Sequence, residues 1–169
     1  MELTYFGHSC FLLSTSKARI LFDPFISPNP LAKQIDVDAI EADYILLSHG
    51  HVDHVTDVER IAQKNPKVKI ISNYEIVRHF EKKGIEGHPM NLGGQWCFDF
   101  GTVKMVHAQH SSSFPDGSYA GCPAGFVLQA DGLTLYYAGD TSLTYDMKLL
   151  AEEFTLGRFQ LQAVLVETL

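Results

Sequence analysis

A chain of 169 residues with 46% hydrophobic content can bury one substantial core but is short for two, so a single domain over 1–169 is expected. Thirteen basic against twenty acidic side chains give a net charge of -7, and no Lys/Arg cluster exceeds the Lys82-Lys83 pair, which argues against nucleic acid as a partner. No apolar run approaches the roughly 18 residues that cross a bilayer and no basic-then-hydrophobic leader opens the chain, so a cytoplasmic protein without a membrane partner is expected; Cys10, Cys97 and Cys122, odd in number and outside any CxxC spacing, predict neither disulfides nor a cysteine zinc site.

Short β-rich runs come first. "LTYF" at 3–6, "CFLL" at 10–13 and "RILF" at 19–22, separated by Gly/His/Ser and Ser/Thr/Lys turns, predict consecutive antiparallel strands. "DYILLS" at 43–48 has the length and apolarity of a buried strand. After it, "VTDVERIAQKN" places Val55, Val58, Ile61 and Ala62 at helical spacing before Pro66. "VKII" at 68–71 predicts another strand, and "YEIVRHFEKKG" at 74–84 an amphipathic helix stopped by Gly84. Strand and helix alternate here, which implies α/β organisation with crossover connections.

Strands then return: "QWCFDF" at 95–100, "TVKMVH" at 102–107 and "GFVLQADGLTLYYAGD" at 125–140, where Asp131-Gly132 between apolar runs is a strong hairpin signal. This last stretch echoes "FLLSTSKARILFDPF". Each runs strand, turn, strand, then an aspartate beside a turn residue, which reads as a weak internal duplication with Asp23 and Asp140 at equivalent strand ends. A helix "DMKLLAEEF" at 146–154 and a strand "AVLVETL" at 163–169 complete the prediction. Trp96 and the phenylalanines are expected in the core, and His79 and His88 on a bland surface.

The densest chemistry lies in "SHGHVDH". In an extended loop at a strand end, residues i and i+2 project to the same side, so His49 and His51 can grip one ion while Gly50 lets the backbone turn between them. Asp53 and His54 fall on the entry turn of the following helix, which aims them at a second, nearby position. Imidazole with carboxylate suits zinc best, and also manganese, iron, nickel or cobalt.

At this motif the sequence resembles the metallo-β-lactamase superfamily, and within it the small metal-dependent hydrolases similar to the L-ascorbate-6-phosphate lactonase branch. The resemblance also rests on "YFGHSCFLL", "LFDPF", "MNLGG", "HAQHSSS", "PAGFVL" and "YYAGDTSLTYDMKLL". It implies an αββα sandwich with one or two divalent ions at one edge. It carries His110 over as the third histidine of the first ion and Asp140 as the carboxylate shared by both, leaving His107 without a ligand role. His8 resembles a position lining the site, a substrate contact or proton shuttle, and Asp23 could orient a ligating imidazole.

These features together predict metal-assisted hydrolysis of a small ester, lactone, amide or phosphoester by a metal-bound hydroxide, with Asp53 orienting the water and taking its proton. His51 stands where flavodiiron relatives carry glutamate, which argues against redox chemistry. The family continues past "AVLVETL" to a last histidine for the second ion, whereas this chain has none after His110. A C-terminally shortened fold is therefore expected, with Asp53, His54 and Asp140 completed by water, His8 or a partner copy in a homo-oligomer. The alternative reading is a catalytically impaired metal-binding or assembly protein of the same fold.

Overall fold

The computed structural model describes residues 1–154. A first sheet contains β1 (Glu2–Gly7), β2 (Cys10–Ser14), β3 (Arg19–Phe22), β4 (Tyr44–Leu46), β5 (Lys69–Asn73) and β6 (Gly87–Met90), side by side in chain order. β1 to β3 pair antiparallel and β3 to β6 parallel. A second, antiparallel sheet contains β7 (Gln95–Phe98), β8 (Gly101–His107), β9 (Ala124–Ala130) and β10 (Leu133–Tyr137), in the order β10-β9-β8-β7. The parallel crossovers carry two short 3-10 turns, Pro30–Ala32 and Val37–Ala39, then α1 (Val52–Val55) with α2 (Val58–Lys64), then α3 (Tyr74–Glu81); α4 (Asp146–Glu153) follows β10.

Strand alternation builds the layers. Ile20, Phe22, Leu46 and Ile71 point from the first sheet toward Val103, Met105, Phe126 and Leu128 of the second, forming the core between the sheets. Their neighbours Leu21, Ile45 and Ile70 face the other way, against Val58, Ile61, Ile76, Val77 and Phe80 of the helices. On the outer face of the second sheet, Val106 and Val127 take Leu150 and Phe154 from α4 and its end. Helices therefore cover both outer faces, and the fold is the expected αββα sandwich. At 131–132 both residues have positive φ, +50° and +74°, as a two-residue hairpin turn demands, and Leu133 pairs with Ala130 across it.

Three expectations need correction. The helix foreseen after the histidines is split into α1 and α2, because Asp57 is drawn back to the preceding crossover. Its carboxylate accepts from Ile26 N (2.6 Å), Ser27 N (2.8 Å) and Ser27 Oγ (2.5 Å), while its own N–H donates to Pro24 O. β6 was absent from the sequence reading, since Gly87 and Pro89 spoil its strand signal, yet an edge strand tolerates both. Trp96 is 54% exposed on β7, beside His88, and is not a core residue. The strand expected at 163–169 lies outside the described residues.

Candidate metal centre

Because β3 and β4 run parallel, their carboxyl ends deliver Asp23 and the segment Ser48–His54 to the same end of the sandwich. The second sheet reaches that end too. β8 leads into His110, β10 into Asp140, and Ala124 N donates to Ser48 O (2.9 Å), stitching the two sheets together there.

Three overlapping groups of metal-capable atoms result among the described residues; one of them, Asp23 with His49 and His54, is the buried floor of the site, and the other two face outward from it. Donor atoms of His49, His51 and His110 lie within 4.8 Å of one another, and so do those of His8, Asp53 and His54. In the first group His49 Nε2 and His51 Nδ1 are 3.0 Å apart, and Ser111 Oγ lies 3.3 Å from the other nitrogen of His51. In the second, His8 Nε2 is 2.9 Å from Asp53 Oδ2, and His54 Nε2 is 3.8 Å from that same oxygen. Asp140 stands between the groups, with Oδ2 3.4 Å from His54 Nε2 and 3.8 Å from His110 Nε2. The six residues expected as ligands thus converge, and His8 joins them. His107 is exposed and faces Asp146, while His79 stacks on Phe114, both away from the cluster.

Beneath the cluster sits Asp23, fully buried and taking hydrogen bonds from four directions. Oδ1 accepts from Ser48 N (2.8 Å); Oδ2 accepts from Ser48 Oγ (2.5 Å), Tyr137 OH (2.6 Å) and His54 Nδ1 (2.8 Å). These bonds select tautomers. With Nδ1–H of His54 committed to Asp23, Nε2 of the neutral ring carries the lone pair and faces Asp140. The Ser48 hydroxyl, donating to Asp23, accepts from Nδ1–H of His49 at 2.9 Å, which makes Nε2 the lone-pair nitrogen of that ring, facing His51 Nδ1. Sequence reading anticipated Asp23 but not Ser48 or Tyr137, whose partners are 25 and 114 residues away. Two site residues, His8 (φ +54°) and Asp23 (φ +39°), also hold left-handed backbones, local strain of the sort that functional sites retain.

Electrostatics agree with a cation at this place. Burial opposes charge on His54, but the Asp23 and Asp140 carboxylates outweigh it and raise its pKa to about 10, so without metal a proton sits on Nε2 in the place a cation would take, and the lone pair is exposed only when an ion displaces that proton. Burial, helped by repulsion from His54, lowers His49 to about 3, so its ring stays neutral and can coordinate. The hydrogen bond from His8 holds Asp53 well below the usual carboxylate range. Most telling, His54 Nε2 and Asp140 Oδ1 are buried and without a hydrogen-bond partner. Unpaired buried polar atoms are costly, and a shared divalent cation would satisfy both. The donor set, four imidazoles and two carboxylates with His8 adjoining, therefore fits metal.

Residues 18–161 match the profile of the beta-lactamase superfamily domain. The chain belongs to the metallo-β-lactamase superfamily. Within the superfamily it is 54% identical over 150 residues to a UPF0173 metal-dependent hydrolase of Flavobacterium johnsoniae, a match covering 89% of this chain and 66% of that protein. It is 50% identical over 157 residues to the corresponding protein of Methylacidiphilum infernorum, covering 92% and 69%. Among solved structures it resembles a metallo hydrolase from Ignicoccus hospitalis, with a TM-score of 0.79 and 31% identity over 91% of this chain and 66% of that one. This superfamily member thus spans about two thirds of the length of the relatives it matches. No helix among the described residues is long and apolar enough to cross a membrane.

Proposed function

We propose that the protein is a metal-dependent hydrolase acting on a small ester, lactone, amide or phosphoester. The observation that carries this reading is the pair of orphaned buried atoms, His54 Nε2 and Asp140 Oδ1, set between two groups of metal-capable side chains. His49, His51 and His110 would hold one divalent ion, Asp53 and His54 a second, and Asp140 would serve both; zinc suits the histidine-rich set best, and manganese, iron, nickel or cobalt also fit. Such ions supply Lewis acidity and a water ionised near neutral pH. Asp53, kept ionised by His8, would orient the attacking water and accept its proton, and His8, itself partly exposed, would pass that proton to solvent. Ser111, exposed beside His51, is positioned to hydrogen-bond substrate.

A second reading, a metal-binding protein without turnover, has one observation in its favour: Asp53 Oδ2 is already engaged by His8. One experiment separates the two. The purified chain is stripped, reloaded with zinc, and assayed for bound metal and for turnover of lactone, ester, amide and phosphodiester probes, beside His51→Ala. The hydrolase reading predicts metal uptake and zinc-dependent turnover that His51→Ala removes. Uptake without turnover favours the second reading; no uptake, with activity indifferent to His51, overturns both.

A further inference from the structure

The three-histidine group is braced from outside by a hairpin that no candidate ligand belongs to. Ser113 and Tyr119 form an antiparallel bridge in the segment following His110, and Ser112 and Ala120 exchange hydrogen bonds just below it. That hairpin sits directly on the backbone between His49 and His51. Gly50 N donates to Ser112 Oγ (3.2 Å), and a Cβ built on Gly50 would lie 2.3 Å from Ala120 Cβ and 3.2 Å from Ser113 O. Contact this close fixes Gly50, and with it the spacing of its two histidine neighbours. The hairpin follows directly on His110, and its first residue, Ser111, brings Oγ to 3.3 Å from His51 Nε2.

What holds the hairpin down is Asn73, at the junction of β5 and α3 and only 5% exposed. Its Oδ1 accepts from Ile76 N (2.9 Å), capping α3, while its Nδ2 donates to Ala120 O (2.8 Å) and Cys122 O (3.0 Å). Between those carbonyls, Gly121 (φ +76°) passes so near that a Cβ there would lie 2.5 Å from Asn73 Cγ. Phe114 adds a second foot by stacking on His79 of α3 at 3.9 Å. Asn73 makes no hydrogen bond to any of the six candidate ligands among the described residues, and the second group, His8, Asp53 and His54, has no contact with the hairpin of this kind.

We propose that Asn73 is a positioning residue for the His49/His51/His110 group, acting through the 111–122 hairpin that it ties to α3. The inference rests on the metal reading above, and it assigns the tether to one ion position and not the other. Groups hydrogen-bonded directly to a ligand change metal affinity by about tenfold to a hundredfold, and a tether one contact further out should act at about the lower end of that range.

The test is zinc titration by calorimetry on the full 169-residue chain. Asn73→Asp keeps the oxygen that caps α3 but replaces the donating amide with a carboxylate facing two carbonyl oxygens. It is introduced into His54→Ala, where the three-histidine group remains, and into His51→Ala, where the second group remains. The expected result is a zinc affinity weaker by about tenfold in the His54→Ala background and no change in the His51→Ala background. Gly121→Ala, which disturbs the same contact from the other side, should reproduce that selectivity should Asn73→Asp fail to fold. Equal losses in both backgrounds, or none in either, overturn the inference while leaving the metal reading intact. A parent chain that takes up no zinc overturns the metal reading, and this inference with it.

Discussion

The two ends of the sandwich are built from equivalent pieces and finished in opposite ways. At one end the β2–β3 and β9–β10 turns meet, where Ser16 N (2.9 Å) and Ser16 Oγ (2.6 Å) donate to Asp131, and where Tyr44 OH donates to Asp99 (2.9 Å). At the other end the same two hairpins deliver Asp23 and Asp140, and there buried atoms of His54 and Asp140 go unpaired. Both ends cross-link the sheets through aspartate. The turn end lies at the surface and its aspartates find partners; the metal end has a buried floor and a part-exposed rim, and leaves His54 Nε2 and Asp140 Oδ1 without partners. The first arrangement closes the sheets at the surface, where hydrogen bonds are worth little; the second ties them through the buried Asp23 and still leaves atoms open to a ligand.

That contrast can be broken by mutation. The largest effect is expected from Asp23→Ala, which strips the carboxylate from His54, Ser48 and Tyr137 at once: removing one partner of a buried charged pair costs about 3–5 kcal/mol. Urea unfolding of the metal-free chain measures it. Asp131→Ala, its counterpart at the exposed end, should leave the midpoint close to that of the parent, and equal losses from the two would erase the distinction.

Next in size is the effect of filling the metal end. Zinc at a hundred times its dissociation constant should stabilise the folded chain by about 2.7 kcal/mol, seen as a raised melting temperature. His51→Ala should remove the share of that gain that belongs to the three-histidine group, whereas Ser16→Ala should keep all of it.

The smallest effect belongs to the turn end and is read by pH. Burial, then the Asp99 carboxylate, raise the Tyr44 pKa from 10.0 to about 12. The unfolded chain therefore loses this proton first, and the stability attached to it is full below pH 10 and drains away as pH climbs toward 12. Unfolding midpoints between pH 9 and pH 11.5 should fall less steeply in Tyr44→Phe; an unchanged slope would remove Tyr44 from the account of this end.

Much of this architecture was legible in the sequence because it is local. Alternating apolar residues, the Asp131-Gly132 turn and the i, i+2 pair His49 and His51 each declare themselves within a few positions. The family resemblance then added His110 and Asp140, which sequence spacing alone leaves as ordinary surface and turn residues. Long-range contacts were not legible. Nothing near Ser48 announces that its hydroxyl links Asp23 to His49, Tyr137 reads as one more core aromatic, and Asp57 breaks a helical pattern through partners some thirty residues earlier. β6 was hidden for a different reason: its glycine and proline are strand breakers anywhere except at an edge.

The order of the strands has a consequence for biosynthesis. Among the described residues every strand of the first sheet ends by Met90 and every strand of the second begins at or after Gln95, so the first sheet is synthesised ahead of the second. His49, His51 and His54 are then in place while Asp140 is still unmade, and Asp23 lacks the Tyr137 hydroxyl it will later accept. An ion met at that stage finds a partial set of ligands. Only when the second half of the chain has been translated and docked can the full set of six side chains come together, which would make metal acquisition a late event in the life of the nascent protein.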